Sequence, residues 1–213
     1  PVQSHLSENP EEAEFVGRLY PQADFYGDGY DRYGMFGDME THGASVRTVM
    51  AHCVWSDRRE VERLCENGVF VAHCPGSNLN LSSGIAPVRK YLDAGIRVGL
   101  GTDVAAGHSD SIFRAMTDAI QVSKMYWRYV DKGAAPLKFE EAFWMATRGG
   151  GEFFGRVGGF DTGYAFDALV VDDTSLRSPQ RLPVSRRLER AVYLSLDITG
   201  GIKAKFVAGS RLF

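Results

Sequence analysis

Four short apolar stretches of the chain end in side chains that can bind a metal ion or move a proton. They lie at residues 2–6, 49–52, 69–73 and 97–103, and the side chains at or near their ends are His5, His52, His73 and Asp103. Short apolar runs bounded by turn-forming residues are typical of buried strands in a parallel sheet. Because helical stretches separate them, the pattern predicts a (β/α) barrel with a metal-dependent active site at its C-terminal face.

The segments between these strands carry helix-capping signals. Asn9, Pro10 and two glutamates begin a predicted helix that runs to about residue 19. Ser56-Asp57 begins a second helix, which Asn67-Gly68 ends. Helical periodicity predicts the remaining helices of this region at residues 88–94, 109–130 and 138–147.

Glycine and other turn-forming residues predict the interruptions. The run Gly149-Gly150-Gly151 is expected to end the last of these helices. Residues 20–47 are rich in Gly, Asp and Tyr and predict a long loop with one helical turn. Residues 74–78 predict a turn-rich loop that Ser77 and Asn78 organise.

The pattern changes near residue 155. Strands are predicted at residues 166–172 and 203–209, with a helix at 185–196 between them. We therefore expect two units: residues 1–155 form the second half of a metal-dependent (β/α)8 barrel of the TIM type, and residues 156–213 form the C-terminal part of a small β-sandwich domain. The fold class is α/β, and we expect further strands to precede Pro1.

The composition of the chain disfavours some classes of binding partner. The net charge of −3 disfavours nucleic acid and membrane surfaces, which attract basic proteins. No apolar run approaches the roughly 18 residues that span a bilayer. The three cysteines, expected to be small buried side chains, form no CxxC pair and no even disulfide framework. This usage predicts a reduced, cytoplasmic protein.

His5 and Glu8 form the strongest candidate pair. A histidine at a strand end can ligate a divalent ion, while a glutamate three residues later can reach the substrate or the attacking water without ligating the metal. The alternative is a core histidine followed by an acid at a helix start. Asp103 favours the metal, because a carboxylate that ends an apolar strand needs a compensating cation or partner.

The other histidines differ in what they predict. His52 is better placed to contact the substrate or transition state than to ligate the metal. For His73 the sequence favours a structural and a functional role equally. His42 and His108 lie among polar loop residues and are expected at the surface.

These motifs resemble those of the amidohydrolase superfamily. The segments SHLSEN, MAHC, AHCPGSNL and GLGTDVAAG, at residues 4–9, 50–53, 72–79 and 99–107, are similar to barrel strands five to eight of that superfamily. Within it, the Ser-Glu-Asn ending of the first motif is similar to members that deaminate guanine. The His-x-His pair that supplies two further ligands on strand one of such enzymes is absent from these 213 residues.

The resemblance implies zinc-dependent hydrolysis of guanine to xanthine and ammonia. It implies one zinc ion, with iron as an alternative, held by His5 and Asp103. Glu8, His52 and Asp103 are the implied catalytic residues, and the purine is expected to contact these three and His5. Open alternatives are another aminopurine, an aminopyrimidine or a triazine as substrate, or an inactive fragment. The outer barrel strands would be exposed edges, so we also expect a homodimer or association through those edges.

Overall fold

The computed structural model describes residues 1–37, 40, 41 and 44–213. Among the predicted surface histidines, His108 is exposed, and His42 lies outside the described residues. The strands are β1 (Val2–Leu6), β2 (Glu40–Thr41), β3 (Ala44–Ser45), β4 (Thr48–His52), β5 (Phe70–His73), β6 (Val98–Leu100), β7 (Ala168–Val171), β8 (Ile202–Val207) and β9 (Ser210–Arg211). The helices are α1 (Pro10–Leu19), α2 (Asp28–Arg32), α3 (Arg58–Glu66), α4 (Pro75–Asn80), α5 (Val88–Asp93), α6 (Ile112–Tyr129), α7 (Phe139–Trp144) and α8 (Val184–Tyr193), and a π-helical turn (Met145–Gly149) follows α7.

The four predicted strands form one parallel sheet in the order β1-β4-β5-β6. Leu6 of β1 lies opposite His52 of β4, and His73 of β5 lies opposite Leu100 of β6. Helices follow each of these strands along the chain, as the βα pattern predicts. Because all four strands run the same way, their carboxyl ends share one edge, and the candidate site residues are brought to that edge.

The core lies between this sheet and the helices that cover it. Fully buried side chains include Leu6 and Met50 from the strands and Tyr91 and Met116 from the helices α5 and α6. Val192 of α8 belongs to the same cluster of buried side chains, so the C-terminal region packs against the barrel helices. No helix within the described residues is long and apolar enough to cross a membrane.

The C-terminal region forms a separate antiparallel sheet in the order β7-β8-β9. The strand β7 lies within its predicted range, and β8 and α8 each begin one residue before theirs. Ser111, at the start of α6, donates a hydrogen bond to Asp197, which follows α8, and this bond ties the two regions together. The division of the chain into residues 1–155 and 156–213 stays a prediction.

Two local predictions are wrong. Residues 75–80 form the helix α4 instead of continuing a loop, because Pro75 occupies a first-turn position where its missing N–H costs nothing. Cys53 and Cys74 are buried as expected, but Cys65 is exposed on α3.

The glycine run after α7 does not end the helix, which is a third wrong prediction. The helical path continues through the π-helical turn and includes Gly150 and Gly151. A Cβ placed on Gly99 of β6 would lie 3.0 Å from the Cα of Gly150, and one on Gly149 would lie 3.0 Å from the carbonyl oxygen of Val98. The glycines therefore allow the helix backbone to touch β6, the strand that leads to Asp103.

Two glycine substitutions should have opposite effects on the free energy of unfolding. Gly99→Ala should lower the free energy of unfolding by about 1–3 kcal/mol, because the new methyl group overpacks the contact between β6 and the π-helical turn. Gly17→Ala is the control, since nothing lies within 4 Å of a Cβ at this position in α1. It should raise stability by about 0.5–1 kcal/mol. Urea unfolding of the full-length protein measures both, and an unchanged midpoint for Gly99→Ala would contradict the close contact.

Candidate active site and metal centre

The candidate residues come from the carboxyl ends of four neighbouring strands. His5 is the penultimate residue of β1, and His52 and His73 are the last residues of β4 and β5. Asp103 lies three residues after the end of β6. Glu8 lies in the turn between β1 and α1, directly before the N-cap Asn9.

Four of these side chains meet in one place. The Oε2 atom of Glu8 lies 3.7 Å from Nδ1 of His5 and 3.8 Å from Nε2 of His52. The same Nε2 atom lies 3.8 Å from Oδ2 of Asp103. The rings of His5 and His52 pack edge to face with their centroids 4.6 Å apart. Residues that are almost a hundred positions apart in the chain thus share one cluster.

The cluster has a buried wall and an open side. The side chain of His52 is fully buried, those of Glu8 and Asp103 are 15% and 29% exposed, and that of His5 is 53% exposed. Within the described residues the cluster is therefore open on the side of His5, in the edge strand β1, and closed on the side of His52.

The backbone at this edge adopts conformations that side chains seldom tolerate. Ser7, His52, Cys53 and Asp103 have φ angles of 46°, 70°, 47° and 50°. Positive φ angles are uncommon outside glycine, and residues held in them cost free energy that the surrounding structure must supply. Such residues concentrate at functional sites, and here they lie at or just past the ends of β1, β4 and β6, where the polar side chains meet.

Asn78 orients the buried imidazole of His52. Its Oδ1 atom lies 2.9 Å from Nδ1 of His52. Because a carbonyl oxygen only accepts hydrogen bonds, this contact places a ring proton on Nδ1 and turns Nε2 toward the cluster. That Nε2 atom is buried and has no hydrogen-bond partner among the described residues. Asn78 thus acts on the site itself, beyond the loop that it was predicted to organise.

The chemistry of these donors fits a divalent metal. Nε2 of His52 lies 3.8 Å from a carboxylate oxygen of Glu8 and from one of Asp103, and two carboxylates this close would stabilise a cation. Imidazole nitrogen and carboxylate oxygen are both ligands that zinc accepts. Ligand atoms of His5, Glu8 and His52 lie within 4.8 Å of one another. This trio differs from the predicted ligands His5 and Asp103, and the assignment of ligands, substrate contacts and catalytic roles stays a prediction.

His73 lies behind the cluster and stays neutral. It is 1% exposed, and neither ring nitrogen has a hydrogen-bond partner among the described residues. Burial and, to a smaller extent, the neighbouring His52 lower its pKa to about 3. At physiological pH His73 therefore adds no charge to the cluster.

Glu60 anchors the segment that carries the site, and sequence reasoning overlooked it. This carboxylate of α3 is 1% exposed and accepts hydrogen bonds from Oγ of Ser7 over 2.7 Å and from the backbone N–H of Gly27 over 2.8 Å. Burial raises its pKa above the usual range. A Cβ on Gly27 would lie 2.9 Å from Glu60, so glycine is required there. Glu60 therefore holds the turn that precedes Glu8.

Comparison with known proteins places this geometry in a family. The sequence pattern that defines the amidohydrolase family matches residues 1–209. Guanine deaminase of Dictyostelium discoideum is 38% identical over 181 residues, which cover 84% of this chain and 38% of that protein. The chain thus spans less than half the length of this curated relative.

Solved structures share the fold over nearly the whole chain. A guanine deaminase of C. acetobutylicum, solved with guanine bound in its active site, is 46% identical with a TM-score of 0.92 and covers all of this chain and 48% of its own. An adenosine deaminase of Xanthomonas campestris, solved with bound zinc, is 26% identical with a TM-score of 0.79 and covers 99% of this chain and 45% of its own. These likenesses confirm the predicted fold class and the resemblance drawn from the motifs: the chain belongs to the amidohydrolase family.

Proposed function

We propose that this chain carries part of the active site of a zinc-dependent enzyme that hydrolyses guanine to xanthine and ammonia. The observation that supports it most strongly is the meeting of Glu8 with His5 and His52, and of His52 with Asp103, within 3.8 Å. The similarity to guanine deaminases favours guanine over other aminated rings.

His5 and Asp103 are the proposed metal ligands. When bound, zinc supplies the Lewis acidity that makes water a nucleophile near neutral pH. Catalytic zinc sites use three protein ligands, and His5 and Asp103 supply two. The proposed site therefore needs at least one further protein ligand.

The other roles follow from where the side chains lie. Asp103 accepts the proton of the attacking water. Glu8, with Oε2 facing His5 and His52, gives a proton to a ring nitrogen of the purine, takes one from the hydroxyl that the water leaves on the attacked carbon, and passes it to the leaving amine. The proton that Asp103 accepted then returns to Glu8. His52, fixed by Asn78 and buried, stabilises the tetrahedral centre that develops on the attacked carbon.

A substrate panel tests the proposed reaction. The full-length zinc-loaded protein should release ammonia from guanine with a far higher kcat/KM than from adenine, 5-methylthioadenosine, cytosine or an aminated triazine. The readouts are ammonia release and the formation of xanthine measured by absorbance. A preference for any other compound of the panel would assign a different substrate to the same site, and no turnover of any compound would leave the protein without the proposed activity.

Glu8→Gln separates proton transfer from metal binding. The substitution preserves size and one carbonyl oxygen but removes the proton carrier, so kcat should fall about 10²- to 10⁴-fold. Zinc content per protein chain should not change, because Glu8 is not a proposed ligand. Near-normal turnover would remove Glu8 from the mechanism, and loss of zinc would make it a ligand.

Substitution of the proposed ligands tests the metal site without using activity. His5→Ala and Asp103→Asn in the full-length protein should each lower the zinc retained after gel filtration to well below one ion per chain, because each removes a donor atom. His108→Ala removes an exposed histidine and is the matched control. Full zinc content in both ligand variants, measured by plasma mass spectrometry, would contradict the assignment.

A further inference from the structure

Glu8 is held by a serine from a different loop. Oγ of Ser83 donates a hydrogen bond of 3.1 Å to Oε1 of Glu8. The other carboxylate oxygen, Oε2, faces His5 and His52. One oxygen of Glu8 is therefore occupied by Ser83, and the oxygen turned toward the cluster is the one left for proton transfer.

Ser83 is itself fixed from two sides. Its backbone N–H donates to the carbonyl oxygen of Asn78 over 2.9 Å, and its own carbonyl oxygen accepts from Nε1 of Trp55 over 2.7 Å. Trp55 lies in the loop that follows β4, three residues after His52. The residue that holds Glu8 is thus connected to the same two elements that orient His52.

The local backbone is shaped to present this hydroxyl. Ser82 and Gly84, on either side of Ser83, have φ angles of 58° and 125°. A Cβ on Gly84 would lie 3.2 Å from Cζ2 of Trp55, so glycine lets the indole lie against the turn. Ser83 is 4% exposed, and Ser82 beside it is exposed. The turn therefore buries one of two adjacent serines against Glu8.

We infer that Ser83 is a positioning residue that holds the carboxylate of Glu8 in the orientation required for proton transfer. A glutamate side chain has several rotatable bonds, and a hydrogen bond to one oxygen restricts the motion of the other. This inference rests on the proposed deaminase function. It concerns Glu8 alone and assigns Ser83 no contact with zinc or with the purine.

Kinetics of matched variants test the role of Ser83 in turnover. In the full-length zinc-loaded protein, Ser83→Ala should lower kcat for guanine about 10- to 100-fold, the effect of losing one hydrogen bond to a charged group. KM should stay within about twofold, because the hydroxyl acts on a step that follows binding. Ser82→Ala, the same change at the exposed neighbour, should leave both constants unchanged.

A double-mutant cycle distinguishes positioning from general support of the fold. Because Ser83 acts through Glu8, adding Ser83→Ala to Glu8→Gln should cause no further fall in kcat. A further fall as large as that caused by Ser83→Ala in the wild-type protein would overturn the inference. So would an unchanged kcat in the single Ser83→Ala variant, or a loss of zinc from it.

A crystal structure of the metal-free Ser83→Ala protein tests the contact independently of the reaction. The carboxylate of Glu8 should leave the position that it has in the metal-free wild-type protein, whereas Ser82→Ala should not move it. An unmoved carboxylate would overturn the inference about Ser83. Failure of the wild-type protein to act on guanine would overturn the proposed function instead, and this structural comparison would still decide whether Ser83 positions Glu8.

Discussion

The hydrogen bond between Asn78 and His52 determines what the candidate site can do. The amide oxygen accepts a hydrogen bond from Nδ1, so the buried ring is held with Nε2 toward the carboxylates of Glu8 and Asp103. Two partly buried carboxylates that face one nitrogen are unfavourable unless a cation or a proton lies between them. The neutral His73 adds no positive charge, so the stabilising charge has to come from a proton, a bound ion or the substrate.

Contacts from several loops fix the backbone turns around the imidazole of His52. Glu60 fixes the turn before Glu8, Ser83 holds the carboxylate itself, and Trp55 links Ser83 to the loop after β4. Glu60 and Trp55 belong to the unit of β4 and α3, and Ser83 belongs to the unit that follows β5, whereas Glu8 follows β1. The free energy that the left-handed residues cost is therefore met by contacts between units, and the site is no more rigid than the packing between its strands.

Much of this arrangement could be predicted from the sequence. The strands, the parallel topology and the clustering of His5, Glu8, His52 and Asp103 follow from local apolar runs that end in polar residues, because parallel strands bring their carboxyl ends to one edge. The structure and the family comparison confirm the fold class, whereas the role of each residue in the site stays a prediction.

The partners of those residues could not be predicted in the same way. Glu60 lies among exposed charged residues of α3 and differs from them only in facing a turn far away in the chain. Ser83 has an exposed serine beside it, and only the path of the loop decides which one meets Glu8. The glycines after α7 look like helix breakers because a sequence does not show that β6 lies against them. In each case the missing information is a contact between distant segments.

The pairing of β1 with β4 limits how the chain can vary in length. Leu6 lies opposite His52, and successive side chains of a strand point to opposite faces of the sheet. Inserting or deleting one residue within β4 would bring an alanine or a cysteine to the position of the imidazole. The other shifted side chains of the strand would then point to the opposite face of the sheet. Insertions and deletions that preserve the chemistry are therefore confined to the helices and to the connections at the far end of the barrel, where no side chain of the cluster is displaced.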